Sequence, residues 1–251
     1  MPIERFMHKI SVVFPLYNEE ARLNILFRSL KNSKKAKTFK SFEFIFVDDG
    51  SSDNTVKNIS HFINKIKKDR HKYKLIKSKK NYGKGHALKL GVQHTNFSWI
   101  ITMDPDLSVN LFQIIKWFKK YSFKSDHAYF GSRNHPLTTQ KYKYYRKFIG
   151  DAFQCLIFLF IDRNVKDTQC GFKLYSKKYA KNIFKNLKTN GYAHDIELIL
   201  LLKFKKIKIV ELPVNWVHKD KGKVNILIDP IKMLIDIILI KFRYAFKRKK
   251  S

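Results

Sequence analysis

Short apolar runs alternate with segments of helical periodicity along the first half of the chain. The amphipathic segments predict helices from about Asn18 to Leu30, after SSDNT, and around Gly85. The apolar runs predict buried strands at 9–14, 42–47, 73–77, 98–103 and 127–133. This alternation is typical of right-handed βαβ units, so we predict an α/β domain with a mostly parallel, Rossmann-like sheet and flanking helices.

Polar or charged residues follow four of these strands at their carboxyl ends. The chain continues with PLYNE after the first strand, DDG after the second and DPD after the fourth, while the fifth ends in GSR. Parallel strands end on one edge of the sheet, and ligands of open α/β sheets bind beyond that edge. The sequence therefore predicts a binding site on this rim.

The stretch MDPD places Asp104 and Asp106 directly after a buried strand. On extended backbone, residues i and i+2 project to the same side, and Pro105 favours extended backbone at the residue before it. Two carboxylates suit a hard divalent cation that also binds phosphate oxygens. The alternative is a capped turn, with Asp106 or Ser108 as the N-cap of the following helix.

The glycines around Lys84 predict a flexible, cationic helix start. The stretch GKG at 83–85 is not followed by Ser or Thr, as a Walker loop requires, and Leu88 stands where GxGxxG needs glycine. A helix start of this kind suits a diphosphate, with Lys84 as the positive charge. The alternative is a glycine turn beside a solvated lysine.

Charge is the unusual feature of the composition. The chain has 251 residues, with 52 Lys+Arg against 20 Asp+Glu and a net charge of +32. The excess of basic residues has two explanations. One is a polyanionic partner, such as nucleic acid, a phosphorylated ligand or an anionic membrane. The other is the amino-acid usage of an AT-rich genome. Cys155 and Cys170 form no metal or disulfide motif, which favours free thiols in a reducing compartment. We predict no signal peptide and no spanning helix.

Two basic and apolar segments in the second half predict contact with a membrane. The first is 141–162, and the second is the C-terminal segment 226–251, which we separate from a main domain over 1–225. On a helical wheel the charged residues Lys232, Asp236, Arg243 and Lys247 fall within roughly 60°, so the rest of the surface is nearly all apolar. An interfacial helix on an anionic leaflet explains both the apolar surface and the KRKK ending, whereas a core helix explains only the former.

Several motifs in fixed order resemble those of family 2 inverting glycosyltransferases of the GT-A fold. These motifs are VVFPLYNEE, FVDDGSSDNT, NYGKGHAL, MDPDLS and GSR. In the second half DTQCGFKLY, GYAHDIELI and ELPVNWVH are similar to dolichyl-phosphate β-glucosyltransferases, whose close relatives are polyprenyl-phosphate mannosyltransferases. The resemblance implies transfer of a hexose, foremost glucose from UDP-glucose, to a polyprenyl or dolichyl phosphate. Together with the two basic and apolar segments, it leads us to expect a peripheral enzyme on the cytoplasmic face of a membrane.

The resemblance also assigns the donor side of the site. The residues that would line the nucleoside pocket or contact the base or ribose are Pro15, Tyr17, Glu19, Asp48 and Asp49, with Lys84 near them. Asp104 and Asp106 would hold Mg²⁺ or Mn²⁺ on the diphosphate. Pro105 is a departure, because family members often have a small residue there.

The remaining assignments concern the acceptor. Arg133 would face the phosphates, and the residues on the sugar and acceptor side would be Asp167, Gln169 and Asp195, with Arg146 and Lys147 as further cations for a lipid phosphate. A hydroxyl acceptor needs a general base, for which Asp195 or Asp167 is the candidate. A lipid phosphate, with a second pKa near ~6, needs no base at neutral pH.

Three other functions remain open at this point. Two keep the fold: a mannosyltransferase that uses GDP-mannose, and a family 2 transferase that acts on a saccharide hydroxyl. The third is a basic nucleic-acid-binding protein. We expect no nucleic-acid partner, because the rim is lined by carboxylates and no binding module is present.

Overall fold

A mixed β-sheet forms the centre of the molecule. The computed structural model describes residues 8–33, 39–66, 70–141, 165–219 and 228–248. The strands are β1 (His8–Leu16), β2 (Phe39–Asp48), β3 (Lys72–Lys77), β4 (Trp99–Thr102), β5 (His127–Ser132), β6 (Thr139–Lys141), β7 (Lys173–Ser176), β8 (Lys208–Pro213) and β9 (Asn215–Val217). Within these ranges the main sheet has seven strands in the order β3-β2-β1-β4-β7-β5-β8, and β6 pairs with β9.

Helices cover both faces of the sheet. After a short 3₁₀ turn at Glu20–Arg22 they are α1 (Leu23–Ser33), α2 (Thr55–Lys65), α3 (Lys84–Gln93), α4 (Gln113–Lys120), α5 (Lys177–Asn186), α6 (His194–Phe204) and α7 (Ile228–Arg248). The prediction of a mostly parallel sheet with flanking helices is confirmed.

Strand β7 is the one reversed member of the main sheet. It pairs antiparallel with both β4 and β5, whereas the other neighbours in the described sheet pair parallel. The carboxyl ends of β1, β2, β4 and β5 therefore meet on one rim, together with the start of β7. The sequence patterns did not predict β7, whose first three residues are the last three of the motif DTQCGFKLY.

The sheet separates two apolar layers. Alternate side chains of β1 belong to different layers: Val12 and Phe14 pack on one face and Val13 on the other. The first layer includes residues of α1, α2 and α4, and the second includes residues of α3, α5, α6 and α7. Because both faces are buried, β1 is apolar without alternation, which is the pattern that predicts it.

Helix α7 has two apolar sides. Its residues Met233, Ile237, Ile240 and Tyr244 are buried in the second layer. The opposite side is exposed and carries Ile231, Ile235, Ile238, Leu239 and Phe242, which we call the outer stripe. In the ranges described, no helix is long and apolar enough to cross a membrane. Nearly all of the predicted segment 141–162 lies outside the described residues.

Candidate active site

A cavity of about 480 Å³ opens at the rim where β1, β2 and β4 end. Of the residues predicted for the nucleotide-sugar site, it is lined by Pro15, Tyr17, Glu19, Asp49, Lys84, Asp104 and Asp106. Lining residues that the sequence analysis did not assign to the nucleotide-sugar site include Arg22, Asn81, Gly191, Tyr192 and Lys232. These side chains come from separate loops and helices, so only the folded chain brings them together.

Asp49 fixes the loop before α3. Its Oδ2 accepts hydrogen bonds from the backbone N–H groups of Tyr82 at 3.0 Å and Gly83 at 2.6 Å. Asp48 is buried and does not line the cavity, and its Oδ2 accepts a hydrogen bond from the N–H of Ser51 at 3.2 Å. The two neighbouring aspartates therefore have different positions, and of the pair Asp49 is the one that reaches the cavity.

Close backbone packing positions Lys84 at the cavity. Gly83 has φ +112°, and a Cβ on it would lie 2.4 Å from the carbonyl oxygen of Asn190. The N–H of Gly85 donates to the same carbonyl at 2.7 Å. Glycine is required at such positions because a side chain would be both strained and crowded. The start of α3 is thereby held against the loop before α6.

The DPD stretch forms a turn. The N–H of Leu107 donates to the carbonyl of Asp104 at 3.3 Å, and Leu107 has φ +55°. The prediction of extended backbone through Asp106 is therefore wrong. Asp106 accepts from the N–H of Ser108 at 2.8 Å, which closes the turn, and neither residue caps a helix, because α4 begins only at Gln113. Both aspartates nevertheless line the cavity.

Gly171 lies directly against the carboxylate of Asp104. A Cβ at Gly171 would be 2.4 Å from Oδ2 and 2.6 Å from Cγ of Asp104. The absence of a side chain at 171 therefore gives this carboxylate its place. Gly171 was not predicted as a site residue, although it lies within the motif DTQCGFKLY.

Lys84 balances the charge of Asp104. Its Nζ lies 2.6 Å from Oδ1 of Asp104. Burial lowers the pKa of Lys84, but the carboxylates of Asp104 and Asp195 raise it by more, so the net shift is upward. The ammonium group stays protonated and places a positive charge at the carboxylate predicted to bind metal.

The residues of the cavity fit a divalent cation. The cavity wall offers the carboxylates of Asp104 and Asp106, and carboxylate oxygens are the ligands that Mg²⁺ and Mn²⁺ prefer. That Asp104 holds the Lys84 ammonium at 2.6 Å shows that this position attracts a cation. No cluster of three or more His, Cys, Asp or Glu suited to a metal occurs among the described residues.

Asp195 belongs to a buried charge cluster at the start of α6. Lys173, at the start of β7, forms an ion pair with Asp195, and its Nζ also donates to the carbonyl of Thr168 at 3.0 Å. The Nε2 of His194 lies 3.3 Å from Asp195. Burial raises the pKa of Asp195, but His194, Lys173 and Lys84 lower it by more. Asp195 therefore stays ionised, and it does not line the cavity.

Arg133 and Asp167 form a second ion pair. The Nε and Nη2 atoms of Arg133 donate to the two oxygens of Asp167 at 2.7 and 2.8 Å, and the guanidinium lies 5.8 Å from the centre of the Trp216 ring. The N–H of Gln169 donates to Asp167 at 3.1 Å. Burial raises the pKa of Asp167, but Arg133 lowers it by more.

The predicted acceptor residues do not converge on the cavity. Its lining includes none of Arg133, Asp167, Gln169 and Asp195. Arg146 and Lys147, predicted as cations for a lipid phosphate, lie outside the described residues. Cys170 is buried and free, and burial raises the pKa of its thiol to about 12.

Comparison with known proteins decides the family. Residues 11–184 match the family model described as glycosyl transferase family 2. The chain belongs to this family. It is similar to the dolichyl-phosphate beta-glucosyltransferase of Saccharomyces cerevisiae, with 32% identity over 94% of this chain and 75% of the relative. The human protein of the same name is 30% identical over 94% of this chain and 76% of its own.

Solved structures show the fold. The glucosyl-3-phosphoglycerate synthase of Mycobacterium tuberculosis superposes with a TM-score of 0.65 at 16% identity, over 93% of this chain and 80% of that one. A mannosyltransferase from Pyrobaculum calidifontis, solved with GDP-Man and Mn²⁺, superposes with a TM-score of 0.61 at 14% identity, over 96% of this chain and 65% of that one. The family 2 glycosyltransferase therefore has the GT-A fold, as its motifs predicted.

Proposed function

We propose that this family 2 glycosyltransferase moves glucose from UDP-glucose to a polyprenyl phosphate, with inversion at the anomeric carbon and with Mg²⁺ or Mn²⁺. The observation that carries the proposal is the cavity in which Asp104, Asp106 and Lys84 face a space large enough for a nucleotide sugar. The names of the yeast and human relatives support glucose as the sugar and a dolichyl-type phosphate as the acceptor.

The donor would lie along the rim. Tyr17 and Asp49, after β1 and β2, would contact the nucleoside, and Asp104 and Asp106, after β4, would hold the metal ion on the diphosphate. A bound divalent ion would stabilise the charge that develops on the departing diphosphate. Lys84, whose ammonium group lies 2.6 Å from Asp104, would add a positive charge beside the diphosphate.

The acceptor phosphate would act as the nucleophile without a general base. One of its oxygens attacks the anomeric carbon, the bond from that carbon to UDP breaks, and no proton has to leave a dianionic phosphate. Asp195, the candidate base for a hydroxyl acceptor, is ion-paired with Lys173 and its pKa is lowered. A carboxylate held in this way is a poor proton acceptor, which supports a phosphate acceptor.

The outer stripe of α7 would rest on an anionic membrane. Its side chains fall within roughly 100° of one another on the wheel, and Lys232 and Lys241 flank them on the two sides. Soluble monomers rarely expose a contiguous apolar face of this kind. The flanking lysines and the net charge of +32 favour a leaflet with acidic lipids over a second copy of this basic chain.

Purified protein is expected to form polyprenyl phosphate glucose from UDP-glucose and polyprenyl phosphate. The rate of this reaction should fall as the pH is lowered through about 6, where the acceptor phosphate becomes protonated. The pKa of Asp195 is lowered, so this carboxylate should add no inflection in that range. The measurement is product formation from a panel of sugar nucleotides across pH, with and without Mn²⁺. Turnover with GDP-mannose alone would change the donor, and turnover with free saccharides would move the function to a hydroxyl acceptor.

Replacing Ile235 and Phe242 together by serine is expected to release the protein from vesicles of phosphatidylcholine and phosphatidylglycerol. The two side chains are 53% and 62% exposed, so the fold should tolerate the change, and losing their burial in lipid should weaken binding roughly 10²-fold or more. Sedimentation measures the effect. Leu137→Ser is the matched control, because Leu137 is 65% exposed and belongs to the loop between β5 and β6. Equal binding by all three proteins would contradict a membrane role for the stripe.

A further inference from the structure

The cavity contains a cation that no described carboxylate neutralises. Of the basic side chains that line it, Arg22 is paired with Glu19 at 2.7 Å and Lys84 with Asp104 at 2.6 Å. Within the part of the chain that the structure describes, Lys232 forms neither an ion pair nor a side-chain hydrogen bond. It is therefore the lining cation that is available to an incoming anion.

Lys232 lies where the cavity meets the outer stripe of α7. It is exposed, and on the helix surface its neighbours three and seven residues on are Ile235 and Leu239, both members of the stripe. A lysine at such a border keeps its aliphatic part along apolar surface and its ammonium group in the polar region. With the stripe on a membrane, the ammonium of Lys232 would lie at the level of lipid phosphates, beside the cavity.

Contacts further along α7 hold the helix against the cavity wall. Asp236 lies close to Gly191: a Cβ on Gly191 would be 3.2 Å from Oδ2 of Asp236. Glu197 of α6 is fully buried and accepts hydrogen bonds from Arg243 at 3.1 Å and from the Tyr244 hydroxyl at 2.7 Å. The same carboxylate accepts from the N–H of Thr189 at 2.6 Å. The position of Lys232 relative to the cavity is therefore set by the core.

The charges of the cavity indicate which anion Lys232 would meet. Asp104 and Asp106 lie after β4, where a diphosphate would be held through the metal ion, and Lys84 is already engaged there. A second phosphate group entering from the membrane side would be repelled by these carboxylates unless a cation lay on its path. Lys232 is on that side.

We propose that Lys232 binds the phosphate of the lipid acceptor and positions it for attack on the sugar. The proposal rests on the proposed function, and it names a residue of the acceptor site on α7 in addition to the predicted Arg133, Arg146 and Lys147. The ammonium group would hold the phosphate dianion by charge-assisted hydrogen bonds while one of its oxygens stays free to react.

The test compares Lys232→Ala with wild type and with Lys241→Ala, which removes an exposed lysine from the other border of the stripe. Lys232→Ala is expected to raise the KM for polyprenyl phosphate about 10- to 100-fold. The same increase is expected with citronellyl phosphate, a short soluble acceptor, which separates phosphate binding from membrane recruitment. The KM for UDP-glucose and its slow hydrolysis without acceptor should not change. Lys232→Arg should restore most of the acceptor affinity, and Lys241→Ala should behave as wild type with citronellyl phosphate.

Three results would overturn the assignment. A higher KM for UDP-glucose in Lys232→Ala would place the lysine on the donor. If Lys232→Ala and Lys241→Ala raise the KM for citronellyl phosphate equally, Lys232 acts only through the overall positive charge. If Lys232→Ala leaves this KM unchanged, Lys232 is not part of the acceptor site. If wild type makes no product from UDP-glucose, the proposed function fails. Calorimetric binding of citronellyl phosphate to wild type and Lys232→Ala then decides the role of Lys232 separately, since equal affinities would contradict it.

Discussion

Asp104→Asn is expected to reduce glucosyl transfer by at least about 10²- to 10³-fold while leaving the fold intact. The amide keeps the shape that packs against Gly171 but removes the charge that faces Lys84 and that we propose binds a metal ion. Asp104 and Lys84 are both partly exposed, so losing their ion pair should cost less than about 1 kcal/mol of unfolding free energy. Product formation at saturating Mn²⁺ and the thermal midpoint measure the two effects.

Asp126→Asn is the matched control for this substitution. Asp126 is exposed and pairs with His127 at the start of β5, the end of the strand opposite the rim. Its activity should equal that of wild type. An Asp104→Asn enzyme that keeps wild-type activity in EDTA would falsify the assignment of Asp104 to a metal ion.

Lys173→Met is expected to destabilise the protein by about 3–5 kcal/mol, because it leaves the carboxylate of Asp195 buried without the ammonium group that pairs with it. Lys173 is 1% exposed and Asp195 is 4% exposed, so water cannot replace the lost ammonium group. Methionine matches the aliphatic part of lysine and lies over Phe130 as Lys173 does, so loss of packing should contribute little. Urea denaturation followed by circular dichroism measures the change.

The double variant Lys173→Met with Asp195→Asn is the control that isolates charge. Because it buries no unpaired charge, it should recover a large part of the stability lost in Lys173→Met. Additive losses in the double variant would mean that His194 and Lys84, rather than Lys173, satisfy Asp195. The two side chains would then be structurally independent.

Local patterns predicted the fold and several of the residues that line the cavity. Each βα unit is one contiguous stretch of sequence, in which an apolar strand such as 42–47 is followed by DDG and then by a helix. The parallel arrangement follows from this alternation and places Asp49, Lys84, Asp104 and Asp106 on one rim. These residues were predictable because each follows its own strand or starts its own helix.

The sequence patterns failed where packing between distant segments decides the structure. The contact of Asp104 with Gly171 joins segments that lie far apart in the chain. The same is true of the ion pair between Asp195 and Lys173. The motif around Asp195 shows a carboxylic acid but not the lysine that pairs with it. A charge pattern shows which groups are present, but the partner of a buried charge is set by the fold.

Helix α7 shows the same division. The sequence by itself determined that this segment is helical, basic at its end and apolar over most of its surface. Only the tertiary structure decided which apolar side is buried, because Met233, Ile237 and Ile240 are as apolar as the exposed Ile235 and differ from it only in having α6 and its neighbours to pack against. By burying one side, the core turned the other side outward and placed Lys232 at the cavity.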